Sequence, residues 1–169
     1  MRALSRPLGV LVLSVGALVS VASAPASAAP GFVCGTLSGG TTMVHSHVTD
    51  VRVGQHRTFD RFVIEFNTAR LPRYRLTPKS DTTFTLEGSG HPVTLLGSAG
   101  LKVAVHFATG TGTYNGPTDF RPRFPQLKEA RQLGDFEGYV TWGIGLGHQS
   151  CKRVFTLTNP TRLVIDVPH

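Results

Sequence analysis

The stretch Thr58-Phe59-Asp60-Arg61-Phe62-Val63-Ile64-Glu65-Phe66 carries the strongest period-two pattern in the chain. Extended backbone sends successive side chains to opposite faces, so Phe62, Ile64 and Phe66 share one face while Arg61, Val63 and Glu65 share the other. Near the C-terminus, Arg162-Leu163-Val164-Ile165-Asp166-Val167 repeats the last six positions in kind: Arg, apolar, Val, Ile, acid, apolar. Within either strand the Arg and the acid lie roughly 13 Å apart, too far to pair. Set antiparallel side by side, the two segments bring Arg61 opposite Asp166, Val63 opposite Val164 and Glu65 opposite Arg162. A parallel register opposes Arg to Arg, which is unfavourable. The pattern therefore predicts an antiparallel pair with an apolar inner face and a charge-matched outer face.

The rest of the chain reads as further short strands. Thr41 to His47 predicts a first, edge strand. Val51-Arg52-Val53 forms a hairpin with the Thr58–Phe66 stretch across the turn-like Gly54-Gln55-His56-Arg57. Leu71 to Pro78 sets Tyr74 and Leu76 against Arg73 and Arg75, and Pro72 and Pro78 confine it to a short edge strand. A weak strand at Thr83 to Leu86 leads into the turn Gly88-Ser89-Gly90. Val93 to Leu96 and Leu101 to Phe107 follow, the second with Leu101, Val103, Val105 and Phe107 pointing one way. Ala108 to Pro125 is the longest irregular segment and ends in Arg121-Pro122-Arg123; long loops on compact domains often carry function.

Glu129 to Phe136 alternates loosely, whereas Gly138 to Leu146 alternates well. Val140, Trp142, Ile144 and Leu146 share one face, which places Trp142 in the core. Gly143, Gly145 and Gly147 leave the other face nearly bare, so the strand either bends there or admits another backbone. Cys151 to Thr158 and Thr161 to Val167 complete the set. Sustained 3.6-residue periodicity is missing apart from a turn or two around Gln126 to Leu133. Many short strands punctuated by Gly and Pro predict an all-β sandwich or barrel with at most a short helix.

The first 28 residues change the compartment. Arg2 and Arg6, the apolar run Leu8 to Val21 and the small-x-small triplet Ala26-Ser27-Ala28 read as a cleaved secretory signal peptide. The apolar run is short for a membrane anchor, and Gly31-Phe32-Val33 before Cys34 lacks the small residues of a lipid-attachment site. Residues 29–48 then form a Gly/Ser/Thr-rich leader stapled by Cys34, and residues 49–169 the folded domain of an exported protein with no membrane span after cleavage. Cys34 and Cys151 are the two cysteines. Outside the cytosol they most simply form one bond, for which the chain-entropy model gives about 4–5 kcal/mol at this loop length. Loss of Arg2 and Arg6 lowers the formal charge from +7 to +5, because all ten acids lie beyond them. Such modest basicity suits an anionic neighbour in the envelope. It is not a nucleic-acid signature, since no Lys/Arg run exceeds two residues.

Candidate chemistry is sparse. His45-Ser46-His47 has chelating spacing on one strand face but no third ligand nearby in sequence, so no metal is expected. Gly110-Thr111-Gly112 and Gly143 to Gly147 open no predicted helix and read as turns or bulges rather than phosphate loops. Ser98 is one residue off nucleophile-elbow spacing and lacks the strand-to-helix setting. Asp135 with Glu137, or Asp60 with Glu65, are the acid pairs a small hydrolase would need. Tyr139 faces away from Trp142, onto the glycine-rich side, and is the better-placed aromatic for contact with a sugar or a partner.

Three segments together resemble the AMIN-like domain of secreted and lipid-anchored bacterial proteins, a relative of the AMIN domain. They are Val53 to Phe66, Leu133-Gly134-Asp135-Phe136-Glu137-Gly138-Tyr139-Val140-Thr141-Trp142-Gly143-Ile144-Gly145-Leu146, and Asn159-Pro160-Thr161-Arg162-Leu163-Val164-Ile165-Asp166-Val167. The resemblance implies a compact sandwich of two small, mainly antiparallel sheets with approximate internal symmetry. It also implies an envelope role, because AMIN domains accompany cell-wall amidases and secretion components and bind peptidoglycan or localise their host. It carries over no catalytic motif and no cofactor. No catalytic domain and no lipid anchor are expected here, so any localising would be of the protein itself or of a partner. The expectation is a non-catalytic module for peptidoglycan or another anionic wall polymer, secreted or extracytoplasmic, with the cell wall as its candidate place of association. The alternatives are an adaptor gripping another envelope protein through a sheet edge, and a small hydrolase. Arg61, Glu65, Tyr139, Arg121 and Arg123 are the candidate contact residues.

Overall fold

The computed structural model describes residues 30–41 and 44–169 of the 169-residue chain. The signal-peptide reading of residues 1–28 lies outside the described residues, as do positions 42 and 43 of the expected first strand. Thirteen strands and no helix occur among the described residues. They are β1 (Leu37–Gly39), β2 (Ser46–Gln55), β3 (Phe59–Phe66), β4 (Tyr74–Lys79), β5 (Thr83–Thr85), β6 (Pro92–Thr94) and β7 (Ala99–His106). There follow β8 (Ala108–Thr109), β9 (Asp119–Phe120), β10 (Leu127–Phe136), β11 (Tyr139–Leu146), β12 (Arg153–Leu157) and β13 (Thr161–Pro168). A six-stranded sheet has the order β1-β4-β7-β11-β10-β9 and a five-stranded sheet the order β12-β13-β3-β2-β8, with β5-β6 a separate hairpin. The short β2–β8 contact is parallel, and the other ladders are antiparallel.

The inner faces of the two sheets meet in one core. β3 supplies Phe62, Ile64 and Phe66, β13 supplies Leu163, Ile165 and Val167, and opposite them lie Val103 and Val105 of β7 with Val140, Trp142 and Ile144 of β11. The Phe62 and Trp142 rings are 5.5 Å apart. Burying Phe62, Ile64 and Phe66 is worth of order 5–9 kcal/mol as an upper figure. A one-residue slip of β3 would send all three to the outside, so this term fixes the register.

That register is the one the charge pattern predicts: Arg61 lies opposite Asp166, Val63 opposite Val164 and Glu65 opposite Arg162. Arg61 donates from Nε and Nη2 to the two Asp166 carboxylate oxygens at 2.6 and 3.0 Å. Arg153, on the other side of β13, adds two bonds of 3.1 and 2.6 Å to the same carboxylate. Glu65 and Arg162 face each other without pairing. β2 flanks β3, and Arg52 reaches across to Glu65 at 3.0 Å, while Arg162 donates to the Pro160 carbonyl at 3.2 Å.

The bare face of β11 admits another backbone. The β5–β6 hairpin and the following Leu95-Leu96 lie over it, and Phe84, Leu95 and Leu133 form a second small core there. A Cβ on Gly143 would meet Leu95 and Phe84 at 3.2 Å, and one on Gly145 would collide with the Leu96 carbonyl oxygen.

Four expectations need correction. The first strand among the described residues is Leu37–Gly39, within the segment read as leader, and Ser46-His47 opens β2 instead of closing a separate strand. Phe107, at φ 58°, falls outside β7 and breaks the alternation after Val105. Leu71 to Pro78 is an edge strand for only part of its length, because β1 pairs with Tyr74–Leu76 and leaves Thr77–Lys79 outermost. The turn or two of helix around Gln126 to Leu133 is strand β10; register shifts between Leu127 and Glu129 and between Gln132 and Gly134 blur its alternation.

The N-terminal segment is tied at both ends of its path. Cys34 is disulfide-bonded to Cys151, and Val33 forms a two-bond bridge with Lys152, just ahead of β12. Lys152 is buried, and its ammonium donates to the carbonyls of Val33 and Gly35. Burial lowers the pKa of this ammonium. Farther on, β1 joins the other sheet.

Candidate functional site

The residues singled out in the sequence do not converge. Arg61 and Glu65 lie on the outer face of the five-stranded sheet, where Asp166 and Arg52 hold them. The Arg61 guanidinium also lies over the Phe59 and Phe155 rings at 5.1 and 5.3 Å. Arg121 is bound to Asp119 at 2.9 Å and lies 3.6 Å from Glu129, both of which raise its pKa. Arg123, at φ 54°, lines a separate shallow depression with Leu96, Ser98 and Lys128. Tyr139 is 46% exposed on the outer face of the six-stranded sheet.

Around Tyr139 the sheet assembles a surface that pattern reading did not single out. The His106 amide donates to the Arg73 carbonyl at 2.8 Å, His106 is the register partner of Tyr139, and Tyr139 is the partner of Phe136. Arg73, His106, Tyr139 and Phe136 therefore form one cross-strand row over four neighbouring chain segments, cation at one end and exposed phenyl ring at the other. The His106 and Tyr139 rings are 4.6 Å apart. In the next row on the same face, Ser38, Arg75, Ala104 and Thr141 are register partners.

At the cationic end the row opens into a cleft of about 460 Å³. It is lined by Arg73, Tyr74 and Arg75, by His106, and by Ser38, Gly39 and Gly40 of the N-terminal segment. Arg73 and Arg75 are exposed and form no ion pair among the described residues. Lys102 on the same face is met by Glu87 at 3.3 Å, and Glu137 occupies the β10–β11 turn with φ 50°. Burial raises the Tyr74 hydroxyl pKa. Two unneutralised guanidinium forks beside the tilted His106–Tyr139 pair can hold carboxylate or phosphate oxygens while a sugar face lies on the exposed Tyr139 ring.

Three of the groups weighed for catalysis, Asp60, Asp135 and Ser98, are engaged in structural hydrogen bonds. Asp60 is fully buried; its Oδ2 accepts the Gln126 and Leu127 amides at 2.7 and 2.8 Å, and its Oδ1 lies 3.0 Å from His169 Nε2. Asp135 accepts the Gly110 amide at 2.8 Å and the Thr111 hydroxyl at 3.3 Å. The Ser98 hydroxyl donates to the Gly147 carbonyl at 2.6 Å. His45 packs edge-on against Phe107. Among the described residues no three His, Cys, Asp or Glu side chains gather as a metal site, and no helix is long and apolar enough to cross a membrane.

Fold and surface together define an all-β sandwich module with a basic and aromatic patch on the outer face of the six-stranded sheet. A family model described as the AMIN-like domain matches residues 46–169, and the chain belongs to that family. No curated protein and no solved structure matches it.

Proposed function

We propose that the protein is an exported, non-catalytic module that binds an anionic polymer of the cell envelope, peptidoglycan or another wall polymer, through the Arg73–Arg75 cleft and the His106–Tyr139–Phe136 row. The observation that carries this reading is the pair of exposed guanidiniums, unpaired among the described residues, next to the adjoining His106 and Tyr139 rings, whereas Arg61 and Arg121 are neutralised by carboxylates. Membership of the AMIN-like family supports an envelope role. The Cys34–Cys151 disulfide fits an oxidising, extracytoplasmic compartment. Of the residues named from sequence, Tyr139 belongs to the proposed surface; Arg61 and Glu65 serve register, and Arg121 and Arg123 lie outside it.

The test is sedimentation of the mature protein with purified cell wall. Binding is expected in dilute buffer and is expected to fall steeply near 1 M salt, where the Debye length is about 3 Å. Protein left in the supernatant at low salt would refute the reading.

One observation favours a second reading. β12 ends the five-stranded sheet, and beyond the Val33–Lys152 bridge its outer edge is unpaired among the described residues, with Leu157 exposed. Such an edge can accept a strand from another envelope protein. It predicts a cross-linked protein partner and no wall sedimentation.

A further inference from the structure

The N-terminal segment has two parts with different neighbours. Residues 32–35 dock at the start of β12 in four ways. The Val33 and Lys152 amides exchange bonds of 2.8 and 2.9 Å. Cys34 is bonded to Cys151. The Lys152 ammonium is capped by the Val33 and Gly35 carbonyls. The Arg153 guanidinium lies over the Phe32 ring at 5.1 Å. Residues 37–40 instead face the cleft: Leu37–Gly39 pairs with Tyr74–Leu76, and Ser38, Gly39 and Gly40 line the opening in front of Arg73, Arg75 and His106. A three-residue edge strand contributes few hydrogen bonds of its own, and such edge segments open at low free-energy cost. Its position is set by what fixes the chain just before and after it. Just before it stands the disulfide; just after it, Gly40 adopts φ 80° against the Pro72 carbonyl, and the Thr41 amide donates to Leu71 at 3.0 Å.

We propose that Ser38–Gly40 form a wall of the binding cleft that the Cys34–Cys151 bond clamps in place, so that opening this bond frees the wall and lowers affinity while the cores of both sheets stay folded. Two electrons and two protons from a dithiol convert the bond to two thiols, and the dithiol leaves as its own disulfide. The segment from Pro30 to Thr41 carries no charged residue, so its departure removes shape and hydrogen-bonding groups from the cleft and leaves the two arginines in place. The binding half of this inference rests on the cleft being the polymer site; the clamping half does not.

The test follows amide exchange and wall sedimentation together, on the oxidised protein, the dithiol-reduced protein and the Cys34→Ser/Cys151→Ser double variant. The clamp predicts that amides of Val33 and Leu37–Gly39 exchange at least tenfold faster without the bond, with β7 and β11 unchanged, and that wall binding weakens at least fivefold. Gly40→Ala, which places a Cβ at positive φ into the Pro72 carbonyl, is expected to weaken binding with the bond intact. Unchanged exchange at Leu37–Gly39 would overturn the clamp. So would loss of protection throughout β7 and β11, because the bond would then hold the fold and not the wall. Faster exchange with undiminished wall binding overturns the wall's part in recognition. If the oxidised protein binds no wall at all, the functional reading of the cleft fails, and exchange alone decides the clamp.

Discussion

Replacing Asp60 probes the joint between the two sheets. Its carboxylate sits on the core side of β3, fully buried, and its Oδ2 accepts the consecutive Gln126 and Leu127 amides where β10 begins. Hydrogen bonds to a charged acceptor contribute about 1.5–3 kcal/mol each, and a buried donor left unmatched costs about 1–3 kcal/mol. Asp60→Ala strands both amides, and water entering the vacated space recovers part of the loss, so the expected destabilisation is about 3–5 kcal/mol. Asp60→Asn keeps one oxygen where Oδ2 stands and turns its amide towards His169, so it is expected to lose about 1–2 kcal/mol, the charge-assisted share. Urea unfolding of the oxidised protein, followed by Trp142 fluorescence, gives both values from the shift in midpoint at constant slope. A loss under 1 kcal/mol for the Ala variant, or equal losses for Ala and Asn, would refute the reasoning that the two amide bonds carry the joint.

Gly145→Ala drives a Cβ into the Leu96 carbonyl, and lifting the Leu95-Leu96 segment is expected to cost about 1–3 kcal/mol; a midpoint within error of the parent protein would mean that the hairpin does not press on β11. Tyr114 has its pKa pushed up to about 12, by burial first and by the Asp50 charge second, while its hydroxyl donates to the Pro117 carbonyl at 2.6 Å. The folded chain therefore keeps this proton after the unfolded chain has lost it. Its contribution to stability is complete below pH 10 and declines between pH 10 and about 12. Phenolate absorbance showing all three tyrosines titrating together near pH 10 would contradict this.

The strand pairing was legible because it rests on adjacent positions of opposite charge and shared parity. Arg61 with Asp166 follows from Arg61 to Phe66 and Arg162 to Val167 alone. Glu65 shows where that stops: its partner Arg52 comes from a third strand, and two-strand matching has no access to it. The glycine parity of β11 announced a close approach, but the hairpin that fills it lies about 50 residues upstream, and nothing local to Gly143 or Gly145 names it. β10 was misread in its first turn because bulges shift parity and thereby mimic a helical period.

The candidate site was the least legible feature for the same reason. Arg73 and Arg75 read as the polar side of a short strand, which they are. What makes them a cleft is His106 and the Ser38–Gly40 wall, each more than about 30 residues away and joined through the order β1-β4-β7-β11. Tyr139 is picked out by parity, and its closeness to the His106 ring follows from the β7–β11 register. The usable signal was negative: once Arg61 and Arg121 are assigned carboxylate partners, Arg73 and Arg75 remain among the arginines without one.

The central claim is that the open face of the six-stranded sheet is where the polymer binds. Charge reversal tests it most directly, by comparing wall sedimentation of the Arg73→Glu/Arg75→Glu variant with that of an Arg121→Glu/Arg123→Glu variant at equal net charge. At least a tenfold loss is expected for the first pair and under a threefold loss for the second. Equal losses for the two pairs, or a greater loss for the second, would contradict it.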